Sequence, residues 1–509
     1  MPPGSEVPEG WERVTLPQVV DICMGQSPPG KSYNEEGVGL PFFQGKADFT
    51  DYHPAVRVYC TEPKKIVNPG DILISVRAPV GPTNVADRVC AIGRGLAGLA
   101  PLAEIPTNYI LFSLRYKEPE IGLWGTGTTF KAINKSHLES IELPLPPLAE
   151  QHRIVAAIEA LFTRLDAANA RLDRVPGIVK QFRQSVLAAA CDGRLTEDWR
   201  AEHPSVESAS NILNRNAENC RQIWEGEQLR KFQTKGKLPR GGEWKNDYHP
   251  SVRPADTPSD ELPRSWVWAS PDEIKNCNDP YALAIGPFGS NLKVSDYRDE
   301  GVPLIFVRNI RSGIFKDENT KYVSETKASE LRPHWVSGGD ILITKMGDPP
   351  GDATLYPIGS PTGIITADCI KLNLFDEIQD ASFFVYAFNS ESVKKQIFSI
   401  TMGVAQKKVS LKRFKTIALP LPPLPEQHEI VRRVDALFAL ADQVETGVAA
   451  ARERTGAMRQ SVLAQAFSGR LVPTEAELAR REGREYEPAA VLLERVRAGG
   501  KKGTQSRLV

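Results

Sequence analysis

Residues Gly25 to Ser32 read GQSPPGKS, the spacing G-x-x-x-x-G-K-[ST] in which backbone amides cradle a phosphate. That chemistry needs free N–H donors and a helix directly after the loop. Pro28 and Pro29 remove two donors, and the following YNEEGVGLP places Gly37, Gly39 and Pro41 where the helix should run. The segment reads as a surface loop offering Gln26, Ser27, Lys31 and Tyr33 to a ligand, with a P-loop ATPase kept as an alternative function. The DPPG of Asp348–Gly351 lacks the aromatic ring against which a flipped base would stack, and reads as a turn after a strand. His152 and His428 recur in matched EQH segments without a Cys or second His at ligand spacing, which suits a helix face or a protein contact better than a metal. Cys23, Cys60, Cys90, Cys191, Cys220, Cys277 and Cys369 form no Cys-x-x-Cys pair and read as reduced thiols. The expectation is a chain with no catalytic residue, no metal and no cofactor of its own.

The elements that must position these residues are written twice. Leu143–Asp166 (LPLPPLAEQHRIVAAIEALFTRLD) returns 276 positions later as Leu419–Asp442 (LPLPPLPEQHEIVRRVDALFALAD). At the same offset, RQSVLAAACDGRL from Arg183 returns as RQSVLAQAFSGRL from Arg459, and Gly127 as Gly403. Upstream the likeness fades to anchors: GDILISVRAPVG from Gly70 against GDILITKMGDPPG from Gly339, and PEGWERVTL against PRSWVWAS. Such self-similarity is sought first because it fixes the architecture.

The alike portions are helical. In the first, Ile154, Ile158, Leu161, Leu165, Ala168, Leu172, Val175, Val179, Phe182 and Val186 follow alternating steps of four and three; Ile430, Val434, Leu437, Ala441, Val444, Val448, Ala451, Thr455, Met458 and Val462 keep the register in the second. This is the apolar seam of a coiled coil. Ordinary helical core is the plainer reading, and either way a stripe is buried. Each helix starts after a Pro-Pro step (Pro146-Pro147, Pro422-Pro423), with Glu150 or Glu426 in its first turn. Gly193 and Gly469 stand at the stops. About 40 residues give a rod of roughly 60 Å, and Pro176-Gly177 should kink the first one. The divergent portions read as β-rich modules, with Ile72–Ile74 and Ile341–Ile343 as buried strands.

The predicted fold class is α+β: two tandem β-rich domains separated by two long helices that form an antiparallel coiled coil. The expected divisions are a first module (1–147), a first helical spacer (148–195), a polar region with a helix near Asn211–Phe232 and then a linker (196–258), a second module (259–423), a second spacer (424–472) and a tail (473–509).

The duplicated LPLPPL-x-EQ-x-x-IV helix start, the RQSVL-x-x-A-x-x-GRL helix end and GRLTEDWR at Gly193–Arg200 resemble the specificity subunits of type I restriction-modification systems. GVGLPFFQGKADF at Gly37 and GPFGSNLKVSDYRDEGVPLIFVRNI at Gly286 are similar to the openings of that family's target-recognition domains. The resemblance implies that each module reads one half of a bipartite, asymmetric double-stranded DNA target while the helices set the gap. It also implies two methyltransferase subunits, which methylate adenine with S-adenosylmethionine, and a separate motor-nuclease subunit using ATP and Mg.

Phosphate contacts call for Lys and Arg, and base edges for Arg, Lys, Asn, Gln, Ser and Thr. The candidates in the first module are Gln26, Ser27, Lys31, Tyr33, Gln44, Lys46, Arg77, Thr128, Thr129 and Lys131. In the second they are Ser290, Asn291, Lys293, Arg308, Asn309, Lys345, Gln406, Lys407 and Lys408. Arg77/Lys345 and Lys131/Lys407 are expected to be equivalent pairs. Singly, each is as well read as a solvated surface side chain. Because 63 basic residues balance 63 acidic ones, any DNA surface must be a local patch. A protein-binding adaptor that touches no DNA is the remaining alternative. No apolar run nears the roughly 20 residues of a membrane span and the N-terminus lacks an export pattern, so no membrane contact and a cytoplasmic location are expected.

Overall fold

The computed structural model describes residues 7–102, 104–124, 132–236, 239, 241–259, 261–347, 349–375, 379–402 and 407–503. The chain forms two compact units, one of residues 1–174 and 448–509, the other of 175–447.

In the first unit the central strand is Ile72–Ser75, all four residues buried. Its side chains alternate between two cores: Ile72 and Ile74 enter the large one, Leu73 a smaller one on the opposite face. A strand covered on both faces has no polar side to present, which is why GDILIS runs apolar rather than alternating. The antiparallel sheet around it runs Val20–Met24, Leu96–Pro101, Ile72–Ser75, Thr83–Val85. A second sheet contains the parallel pair Leu40–Phe43 and Cys90–Ile92. Glu12–Thr15 pairs with Glu142–Leu145 and closes the module.

The second unit repeats the plan. Ile341 and Ile343 enter its large core and Leu342 a smaller one. The antiparallel sheet runs Leu283–Ile285, Cys369–Leu372, Ile341–Thr344, Ala353–Leu355. Val302–Ile305 and Gly363–Ile365 form the parallel pair, and Val267–Ala269 pairs with Leu419–Leu421. A polar helix spans Ala209–Thr234.

The repeated segments form the helices Leu148–Leu172, Val175–Cys191 and Leu424–Ala466. The first two are parted at Asp173–Arg174, where the Pro176 ring would clash with the carbonyl four residues back. Gly193 and Gly469 adopt φ of 83° and 73°, the left-handed stop. A side chain at Gly193 would strike Pro263, and one at Gly469 would strike Pro8.

Within each unit, a helical segment from one repeat runs beside a segment from the other, with residue numbers rising on one and falling on the other. In the first unit Arg459 bonds Asp166, Thr455 bonds Asn169, and Arg452 bonds Asp173. In the second, Arg183 bonds Asp442 and Glu445, and Arg433 bonds Asp198. Ile154, Ile158, Val179, Val186, Ile430 and Val434 are buried; Leu161, Leu165, Leu172, Phe182, Leu437, Val448 and Val462 are half-buried. Val444 and Met458 depart from the expected seam, being 41% and 54% exposed. Polar pairs occupy their level: Arg459 covers Phe162 at 4.7 Å from the ring centroid, and Arg183 covers Phe438 at 5.2 Å while bonding Asp442 and Glu445.

A buried glutamate ties each module to its helix. Glu150 accepts the Trp11 indole N–H at 3.1 Å and the Glu475 backbone N–H at 2.8 Å. Glu426 accepts from Trp266 at 2.8 Å, from the Thr196 hydroxyl at 2.7 Å and from Arg200 at 2.6 Å. Among the described residues, no helix is long and apolar enough to cross a membrane.

Candidate nucleic-acid interface

In the first unit, three loops close around an open cleft of about 620 Å³ lined by Ser27, Gln44, Lys46, Asp48, Arg77 and Arg94. Their backbones meet because glycines let them. A Cβ at Gly25 would lie 2.2 Å from the Gly93 carbonyl oxygen, and one at Gly95 would lie 2.1 Å from that of Gln44. The end of the central strand delivers Arg77, whose carbonyl accepts from the Ser75 hydroxyl at 2.9 Å and whose backbone bridges to Ala132. Arg94 stands on the turn between Cys90–Ile92 and Leu96–Pro101, its N–H donating to Ser27 Oγ at 3.4 Å.

Gln44, Lys46, Arg77 and Arg94 are exposed. Three cationic groups thus face one carboxylate, Asp48, which already accepts from the Gln44 N–H at 3.0 Å. A solvated cleft with surplus guanidinium donors suits phosphate oxygens or base-edge acceptors.

The neighbouring loop is structural at its far end. Ser32 is buried, its hydroxyl donating to the Pro29 carbonyl at 2.6 Å, and Tyr33 stacks on Phe42 at 4.8 Å with its hydroxyl on the Pro28 carbonyl. Burial raises the Tyr33 phenol above its ordinary pKa, keeping it a neutral donor. The short turn Gly30–Ser32 leads into the strand Tyr33–Asn34, not a helix. Gln26 and Lys31 are exposed beside it.

In the second unit the matching positions follow from backbone bonds. Ile133 N–H bonds the Val76 carbonyl and Val409 N–H bonds that of Lys345; Val76 N–H bonds Gly95 and Lys345 N–H bonds Asp368. Lys345 therefore matches Val76, and the counterpart of Arg77 is Met346, which bridges to Lys408 as Arg77 bridges to Ala132. The expected Arg77/Lys345 equivalence is off by one residue. In an extended strand that step turns the side chain to the other face, and the Lys345 ammonium donates instead to the Ala367 carbonyl at 3.1 Å.

By the same bonding, Gly93 matches Thr366, so Arg94 matches Ala367, and Phe43 matches Ile305. In the turn that follows, Phe49 N–H bonds the Lys46 carbonyl and Ile310 N–H that of Val307, which sets Lys46 against Val307 and Arg308 against Ala47. Gly25 matches Gly286, which sets Ser27 against Phe288, 67% exposed. Arg308 is exposed over the Phe306 ring at 4.0 Å and donates to the Asn319 carbonyl. Asn309 is a second correction. It is 1% exposed, and its amide is spent on the Phe306 N–H and on the Lys316 and Glu318 carbonyls, so it shapes the turn and meets no solvent. Ser290, Asn291 and Lys293 sit on an exposed loop. Lys407 lies over the Phe398 ring at 3.9 Å, and Lys408 is exposed. Thr128, Thr129, Lys131 and Gln406 lie outside the described residues. Sequence reasoning missed Arg94, although an arginine between Gly93 and Gly95 is itself a signal of a turn that presents a side chain.

The family described as the type I restriction modification DNA specificity domain matches residues 8–176 and 334–451, more than half of the chain, and the protein belongs to it. It is a non-catalytic member of a DNA-specificity family. Over 99% of both chains it is 25% identical to the type I restriction enzyme EcoDI specificity subunit of Escherichia coli. It is 26% identical to the EcoKI specificity subunit of Escherichia coli K12, again over 99% of both. The crystal structure of the HsdS subunit from Thermoanaerobacter tengcongensis shares 51% identity across 33% of this chain and 41% of that one, with a TM-score of 0.30.

Proposed function

We propose that this protein recognises a bipartite, asymmetric double-stranded DNA sequence, one half-site per β-rich module. The long helices pair as an antiparallel coiled coil that sets the gap, and methyltransferase and motor-nuclease subunits dock on the repeated helical regions. In this reading S-adenosylmethionine, ATP and Mg belong to those partner subunits, and the complex works in the cytoplasm.

The observation that carries the reading is that one module plan occurs twice with different side chains at the cleft: Arg77 against Met346 and Arg94 against Ala367. Two copies of a reader with unlike lips suit two unlike half-sites. Base identity is read by side chains at the groove edge, whereas the scaffold only positions them.

The test is a randomised duplex library incubated with the full chain assembled with its methyltransferase subunits. Enrichment of a split sequence with a fixed gap is expected. Flat recovery would favour a protein-binding adaptor and overturn the reading.

A further inference from the structure

The two modules differ in a way that separates phosphate contacts from base contacts, on the proposed reading that both bind DNA. Phosphates are chemically the same in every half-site, so a side chain that grips them should keep its charge in both modules. A side chain that reads a base should change wherever the half-sites differ. Each module keeps one exposed cation on the short turn after its parallel-paired strand, Lys46 on Lys46–Asp48 and Arg308 on Val307–Asn309, one position apart in the turn. Arg77 and Arg94 are matched by Met346 and Ala367, which carry no charge at all.

We infer that Arg77 and Arg94 read a G·C pair through the guanine O6 and N7 acceptors in one half-site, and that Met346 and the exposed Phe288 meet a thymine methyl at the corresponding place in the other. A guanidinium offers a planar fork of N–H donors that fits the two guanine acceptors together. Both arginines line one cleft and are exposed. Val76 N–H bonds the Gly95 carbonyl at 2.9 Å, so the segments presenting Arg77 and Arg94 are tied together beneath them. In the second module the same backbone carries Met346, half-buried, and Phe288, 67% exposed. Such side chains cannot bond a base acceptor but can pack on the methyl of thymine.

The experiment repeats the duplex selection with the full chain, assembled with its methyltransferase subunits, as wild type, Arg77→Met, Arg94→Ala, Lys46→Ala and Met346→Arg. Thermal melting of each variant accompanies it. The expected result is a wild-type motif with a G·C pair whose discrimination falls on the order of tenfold to a hundredfold in Arg77→Met and Arg94→Ala. The other half-site should stay unchanged. Lys46→Ala should weaken all sequences evenly and reduce the salt slope by about one. Met346→Arg should add a preference for guanine in the second half-site, which holds the inference open to test even if the first-module variants fold poorly. Even weakening of all sequences by Arg77→Met and Arg94→Ala would make them phosphate contacts and overturn the inference while leaving the function intact. A wild type that selects no split sequence overturns the function and this inference with it.

Discussion

The indole N–H of Trp266 donates to the buried carboxylate of Glu426 at 2.8 Å, and the pair fixes the start of a strand to the start of a long helix. Arg200 and Thr196 complete the carboxylate's partners. Glu426→Ala should leave the buried indole N–H without an acceptor and Arg200 without its anion, lowering the stability of that unit by about 3 kcal/mol. Urea unfolding followed by tryptophan fluorescence measures it, and a loss below about 1 kcal/mol would show that the pair is dispensable.

The matching carboxylate, Glu150, should make the other unit pH-sensitive. Burial raises its pKa to about 7, against the opposing pull of the Glu475 N–H, Trp11 and Arg153. A carboxylate with a raised folded pKa binds its proton more tightly when folded than when unfolded. Its contribution to stability is therefore greatest below the unfolded value near 4.5 and is lost as pH rises through about 7. Thermal melts between pH 5 and 8 should show a decline that Glu150→Gln flattens. An unchanged slope in the variant would assign the decline to other residues.

Arg459 contributes to helix pairing through both its ion pair with Asp166 and its place over Phe162. The pair is partly exposed, so Arg459→Ala should lower stability by only about 1 kcal/mol. The loss should shrink at about 1 M salt, which screens the ion pair, without vanishing, since the ring contact remains. A loss that vanishes entirely in salt would mean that the contact over Phe162 contributes nothing.

Nucleotide binding to GQSPPGKS is expected to be undetectable. Ser32 is buried and bonded to Pro29, and a strand follows the turn. Isothermal calorimetry of the wild-type chain with Mg–ATP should show no binding, and Lys31→Ala should change nothing. A dissociation constant tighter than roughly 100 μM, lost in Lys31→Ala, would revive the nucleotide reading.

Much of this protein was legible in its residues because the informative patterns are local. The 276-residue offset, the Pro-Pro helix starts and the glycine stops each depend on a few neighbouring positions. So does the apolar run of Ile72–Ile74, whose two covered faces leave no room for a polar residue. The family likeness rests on the same repeated segments. The family match covers residues 8–176 and 334–451, which include both copies of the Pro-Pro helix start.

What only the tertiary structure decided depends on contacts between residues far apart in the chain. Glu150 is closed over by Glu475, 325 residues away, and Glu426 by Thr196 and Arg200, so the tail after each helix completes the anchor of the other repeat. No periodicity encodes that exchange, because it is set by how the helices pack and not by where their apolar residues fall. Counting along the repeat paired Arg77 with Lys345, while the hydrogen-bond register pairs it with Met346. A single-residue slip is nearly invisible in a divergent stretch, yet it reverses which side chain faces the cleft. The buried amide of Asn309 and the gathering of Arg94 beside Arg77 have the same origin. Composition announces a polar side chain, and only the fold decides whether backbone or solvent receives it.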